Sequence, residues 1–248
     1  MKSILALIEE KQKVYAQLPF FEFMRDQTIS PEKRLAFAPC AAPFIMSFAD
    51  LNKYALRQEP TKDKIQLILN QHTYEDDFHW QWFLEDMQKL GFNCPLEFNE
   101  SLKLLWSDKT KNSRLLAYQL YEYIAQAEPV EKLIILESIE ATADIFLFLT
   151  REITNELRLD TNQEYRYFGD CHVEQETSHN ANSTDVNEFI NNMYLSEASQ
   201  LKGLELVDKV FTAFTQWTYE LLAYAQSNQG LQISSQQLRS RFISSAAA

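Results

Sequence analysis

Residues 167–179 read YFGDCHVEQETSH, and three of them, His172, Glu176 and His179, fall at i, i+4 and i+7. At about 100° per residue on a helix, these positions share an arc of roughly 60°. Two imidazoles and a carboxylate then project the same way from one rigid element, a donor set that suits iron, manganese or zinc. The competing reading is a polar helix face that carries two histidines by accident. The protein has only four histidines, and the other two, His72 and His79, stand with Glu75 between them at i, i+3 and i+7 in NQHTYEDDFHW. A third polar stripe, Glu137, Glu140 and Asp144, interrupts the apolar run LIILESIEATADIFLFL. A carboxylate buried without a partner is costly and tends to keep its proton. A metal ion would remove that cost; a polar cleft, or Lys and Arg partners, would do so too.

These three stripes need helices to position them, and the composition favours helices. Four glycines in 248 residues leave little material for tight hairpins, while Glu, Gln, Leu, Lys and Ala are abundant. Residues 1–27 read as an amphipathic helix interrupted near Pro19. Ser30-Pro31 opens a helix expected to reach about Arg57, with a bend at Pro43 and a buried middle that makes Cys40 a core residue rather than a nucleophile. Thr61–Leu90 reads as one long helix closed by Gly91. Residues 98–127 form one or two helices with a break at Asn112-Ser113, and Pro129 opens a helix to about Leu157, apolar on nearly every side and therefore central. The His172 helix follows the loop 160–163. Residues 185–227 are helical, and the tail beyond them is a loose extension. No repeat or linker divides the chain, so residues 1–248 are expected to form a single all-α domain, a bundle of about seven helices.

Charge and cysteine usage exclude several classes. A net charge of −12 argues against nucleic acid and anionic membranes, which require basic surfaces. Hydrophobic residues make up 46% of the chain, too many for disorder. Cys40, Cys94 and Cys171 are odd in number and far apart, so no disulfide framework or zinc pattern is legible, and a cytoplasmic location is expected. The N-terminus lacks a signal-peptide layout, and no run of about 20 apolar residues could span a membrane.

The order of these motifs resembles the haem-oxygenase-like fold, and within it the non-haem dimetal branch of CADD-like and diiron oxidases. The resemblance covers residues 60–225 and rests on a helix with N…H-x-x-W…LG, a buried helix with a Glu, then YF…H-x-x-x-[DE]-x-x-H. It implies that His172, Glu176 and His179 are metal ligands; the family usually has Asp at the middle position. Glu140 matches the Glu of the buried helix better than Glu137 does, and His79 matches the earlier histidine, with Trp80, Trp82, Phe83 and Leu90-Gly91 following. Where the family places a Glu two turns before that histidine, this chain has His72, with Glu75 one turn before; either could serve. The resemblance implies two iron ions, with manganese possible, and an oxidase or oxygenase acting on a small organic substrate with dioxygen; a homodimer is expected. The metal-free TenA (thiaminase II) and PqqC proteins share the fold, so a metal-free hydrolase or binding protein is the alternative. TenA-like hydrolysis requires a cavity cysteine, and Cys171 lies about 100° around the helix from His172.

Overall fold

A computed structural model of the chain describes residues 1–93, 97–181 and 184–227; the side chains of residues 176–185 and 187 lie outside the described part. The described residues are helical and contain no strand. The first four helices are α1 (Lys2–Tyr15), α2 (Pro19–Arg25), α3 (Pro31–Arg34) and α4 (Ala38–Leu51), the last running into a π-helical turn, Asn52–Leu56. There follow α5 (Lys64–Asp76), α6 (His79–Lys89), α7 (Phe98–Leu105) and α8 (Lys111–Ala125). The chain continues with α9 (Pro129–Thr161), α10 (Asp170–Ala181), α11 (Thr184–Asn192) and α12 (Glu197–Ser227). Among these helices none is long and apolar enough to cross a membrane.

The elements are shorter and more numerous than the seven expected. The expected helix over Thr61–Leu90 is two helices, broken at Asp77-Phe78, where Phe78 leaves helical geometry at φ −113°, ψ −3°. The break in the next region lies at Trp106–Thr110 instead of Asn112-Ser113, because Ser107 turns its hydroxyl onto the Lys109 N–H and starts a 3₁₀ turn. The region 185–227 is interrupted between Asn192 and Glu197.

Helix α9 is the axis. It opens with a capping box, Glu128 and Glu131 satisfying each other's backbone N–H groups around Pro129, and closes at Asn162 in the left-handed conformation. Its Leu133, Ile134, Ile135, Ile139, Phe146, Leu149 and Ile153 are buried, and it packs against α1, α2, α3, α5, α8, α10 and α12. Arg34 is buried and ion-paired to Glu156 of α9, and also donates to the Met24 carbonyl. Glu220 of α12 caps α8 from outside, accepting the Asn112 and Ser113 N–H groups at 2.7 and 2.8 Å. Cys40 is fully buried and donates to the Lys109 carbonyl, and burial pushes its thiol pKa up, so it is a core residue as the sequence indicated.

Side chains of α1 and α9 meet α12 at Gly203. A Cβ there would stand 2.5 Å from Ile4 Cδ1 and 2.9 Å from Ile134 Cδ1. Both obstacles are the ends of flexible side chains. Gly203→Ala is therefore expected to be near neutral, the gain of about 1 kcal/mol in helix propensity offsetting the crowding. Gly203→Val, with two further carbons in the same gap, is expected to destabilise by about 2 kcal/mol, read as a fall in the urea midpoint at unchanged slope.

Candidate metal centre

Four helices bring four of the predicted side chains, His72, His79, Glu140 and His172, to one place. His72 lies on the last turns of α5, where its Nε2 is 3.1 Å from Asp76 Oδ2 and 3.3 Å from Glu140 Oε1 of α9. Neither contact has hydrogen-bond geometry, so a buried imidazole nitrogen faces two carboxylate oxygens without a formal bond. Asp76 Oδ1 is buried and makes no hydrogen bond; His79 Nδ1, at the start of α6, is 3.6 Å away. Suitable ligand atoms of His72, Asp76 and Glu140 lie within 4.8 Å of one another. His79 then meets His172 of α10, with ring centroids 4.4 Å apart. Both histidines are buried.

The helix break at Asp77-Phe78 contributes to this arrangement. Arg57 holds Asp77 at 2.9 Å and donates to Thr73 at 3.0 Å, tying the end of α5 to the π-helical segment. His79 thus enters on the first residue of a separate helix, with Trp82 stacked on its ring at 4.7 Å.

His172 is oriented by the turn that precedes it. Its Nδ1 lies 2.9 Å from the Tyr167 carbonyl oxygen. A carbonyl can only accept, so Nδ1 carries the proton and Nε2 the lone pair in the neutral ring. The turn itself is fastened by Asp86 of α6, which has no exposed surface and accepts the backbone N–H groups of Arg166, Tyr167 and Phe168 at 3.0, 2.8 and 3.0 Å. Lys89 bridges from Asp86 at 3.4 Å to the Glu164 carbonyl at 2.7 Å. Gly169 closes the turn so tightly that a Cβ would sit 2.2 Å from the Tyr165 carbonyl oxygen. Backbone cannot yield as a side chain can. Gly169→Ala is expected to cost about 3 kcal/mol and to displace His172. Thermal unfolding reads the first effect, and the His172 imidazole resonances read the second.

Electrostatics tie the carboxylates to the histidines. Burial alone would lower the pKa of His72, but the Glu140 and Asp76 carboxylates outweigh it and hold the imidazole well above its ordinary value. Burial would raise the pKa of Asp76; His72, with His79 and His172 behind it, holds it below the usual range. Glu137, one turn before Glu140, is raised by burial, against the pull of His72 and with the push of Asp144. Asp144 itself is exposed.

Of the sequence candidates, His72, His79, Glu140 and His172 are thus brought together. Glu75 is partly exposed on α5; Gln71 donates to its side chain at 3.5 Å, and its carbonyl accepts from Gln175 of α10 at 3.5 Å. Glu176 and His179 lie on α10, one and two turns beyond His172, but their side chains are outside the described residues. The residue that sequence reading missed is Asp76. Its signal was present: His72, Asp76 and His79 stand at i, i+4 and i+7, the same spacing as His172, Glu176 and His179.

Asp76, His79, Glu140 and His172 line a cavity of about 80 Å³ whose other walls include Phe44, Phe48, Phe146, Phe214 and Trp217. Cys171 lines a different cleft with Gly169 and Glu174, and Cys40 is in the core, so neither reaches this cavity; Cys94 lies outside the described residues. The sequence matches no protein-family model, and a search of curated proteins finds no match either.

Proposed function

We propose that this chain is a metal-dependent oxidase or oxygenase of haem-oxygenase-like fold, acting with dioxygen on a small organic substrate. The observation that supports it best is the convergence of His72 Nε2, Asp76 Oδ1 and Oδ2, and Glu140 Oε1 in a partly buried site, where two of these four atoms, His72 Nε2 and Asp76 Oδ1, make no hydrogen bond. Buried polar atoms normally have partners, and among the described residues no Lys or Arg lines the cavity to supply one. One imidazole and two carboxylates fit iron or manganese.

His72, Asp76 and Glu140 would hold one ion. His79 and His172 would hold a second, joined by Glu176 and His179 if these turn inward from the same face of α10. When bound, a redox-active metal supplies the electron transfer that dioxygen chemistry requires. The chain's own residues do the rest. Asp76 and Glu140 offset the positive charge, the Tyr167 carbonyl keeps the proton on Nδ1 of His172 so that Nε2 can donate its lone pair, and the aromatic walls exclude water from the reacting end. The fold would be a single domain, with the protein acting as a homodimer.

Anaerobic loading with ferrous iron, desalting and metal analysis test the reading. Close to two irons per chain and dioxygen uptake above that of free ferrous iron are expected, with both lost in Glu140→Ala. Metal content equal in the parent and Glu140→Ala would sink it.

The raised pKa of His72 favours one competitor, a metal-free site in which an imidazolium is clasped by Asp76 and Glu140. That reading expects no retained iron. Because no described cysteine lines the cavity, it favours a small-molecule binding protein over a cysteine hydrolase.

A further inference from the structure

Helix α7 is amphipathic, yet none of its residues is buried. Ser101, Leu104 and Leu105 are half-buried, and Leu104 packs against the core. Phe98, Leu102 and Trp106, at i, i+4 and i+8, form an apolar row that stays in solvent; Phe98 is 75% and Trp106 66% exposed. Leu102 and Trp106 also line a surface groove with Asn99 and Lys103. The face carries over to α8. Arg114 donates to the carbonyls of Leu105 and Ser107 at the end of α7, and Tyr118 and Tyr121 lie on the same side of α8, at i+4 and i+7 from it. Both tyrosines are exposed, by 61% and 52%. An apolar face of this extent marks an interaction site.

Charge and size point to the occupant. The chain carries −12 overall, which sets two copies against each other. Residues 97–111 do not share this repulsion: Glu97, Glu100 and Asp108 are matched by Lys103, Lys109 and Lys111, leaving no net charge. All six are exposed, with Glu97 and Glu100 at the start of α7 and the lysines from its middle onward. A two-fold axis across the middle of α7 turns one copy end for end against the other. Glu100 of each copy then faces Lys103 of the other, and Trp106 of each meets the other's apolar row. Glu100 and Lys103 already pair within one helix at 2.6 Å, so the contact exchanges an ion pair without burying a lone charge. Covered aromatic side chains bury about 150–250 Å² each, so the exposed parts of Phe98, Trp106, Tyr118 and Tyr121 supply roughly 500 Å² per copy. That is close to the apolar share of a stable interface of about 800 Å² per partner. We propose that α7 and the adjoining face of α8 form a two-fold interface between two copies of this chain. This gives the homodimer of the proposed function its contact and rests on that reading; it makes no use of the metal.

The test is sedimentation velocity of the full chain, as purified, across the micromolar range, where a reversible dimer is expected. Trp106→Glu should raise the dissociation constant at least about thirtyfold, the loss of one central aromatic. Lys103→Glu gathers four acids around the axis. It should weaken the dimer about fivefold to thirtyfold, because the symmetric contact is lost twice. Adding Glu100→Lys to Lys103→Glu restores opposite charges across the axis and should return the constant to within about threefold of the parent.

A monomer throughout the range overturns the proposal, whether or not the face then takes a phosphatidylcholine vesicle. So does a dimer that Trp106→Glu leaves intact, or a double variant no tighter than Lys103→Glu. Should Trp106→Glu not fold, Tyr118→Glu on the separate helix α8 is read in its place, with a weakening of at least about tenfold expected. Iron retention is measured on the same preparations. A dimer through this face without retained iron counts against the oxidase reading alone, and retained iron in a monomer counts against this interface alone.

Discussion

Replacing Asp86 with Ala is expected to cost about 3 kcal/mol and to loosen the candidate centre, although Asp86 touches none of the proposed ligands. Its two oxygens accept three backbone N–H groups in a place with no solvent access. Each such donor left unmet costs about 1–3 kcal/mol, and the turn would relax to recover part of that. The relaxation moves the Tyr167 carbonyl, and with it the Nδ1 partner of His172. Retained iron should fall about tenfold to a hundredfold in affinity, the range seen when an outer partner of a metal-bound histidine is removed. Asp86→Asn keeps one accepting oxygen and should lie between the two. Loss of stability with unchanged iron affinity would mean that the turn does not govern His172. The pH dependence has a definite sign. Burial raises the pKa of Asp86, against the N–H groups and Lys89 that pull it down. Its contribution to stability is thus fully present below the ordinary carboxylate range and declines as pH rises through the elevated value. Parent and Asp86→Asn urea midpoints should therefore converge toward higher pH within that window and separate at its acidic end.

Asp76→Ala should abolish iron retention, while Glu75→Ala should leave it within about twofold. Removing a ligand exceeds the hundredfold loss typical of an outer-shell change. Asp76 has 4% of its side chain exposed and offers one oxygen to His72 and another to His79. Glu75 points along the partly exposed side of the same helix, where Gln71 reaches it. Metal analysis of the two variants after identical loading separates them. A full complement of iron in Asp76→Ala would remove that residue from the centre.

This pair also shows what the sequence could and could not tell. Apolar character identified α9 as the central helix, and its stripe of Glu137, Glu140 and Asp144 stood out because a buried charge is conspicuous in an apolar run; the choice of Glu140 among them came from the family resemblance. The four histidines were legible for the same reason, being few and regularly spaced. Glu75 and Asp76 are adjacent acids, 100° apart on a helix, and with one continuous helix read through residue 90 only the i+3 acid, Glu75, was singled out. The break at Asp77-Phe78, held by Arg57 from a distant segment, decides between them, and that contact is tertiary. Asp86 and Trp217 were silent too. One serves backbone groups some 80 positions away and the other looks like any core aromatic, so neither leaves a local pattern.

Helix α1 finds its partners at the far end of the chain. Lys11 pairs with Asp208 at 2.6 Å, Ser3 accepts from Gln200 at 2.8 Å, and Ile4 abuts Gly203, all on α12. During synthesis the first helix must therefore wait for some 200 further residues before Ile4, Ile8 and Tyr15 can be covered on that side. At roughly 5–20 residues per second this is an interval of about 10–40 s. Over that interval an apolar face stands open to holdase chaperones and to neighbouring nascent chains. Slow translation downstream of residue 130 should lower soluble yield more than slow translation before it, since α9 alone can shelter only part of α1.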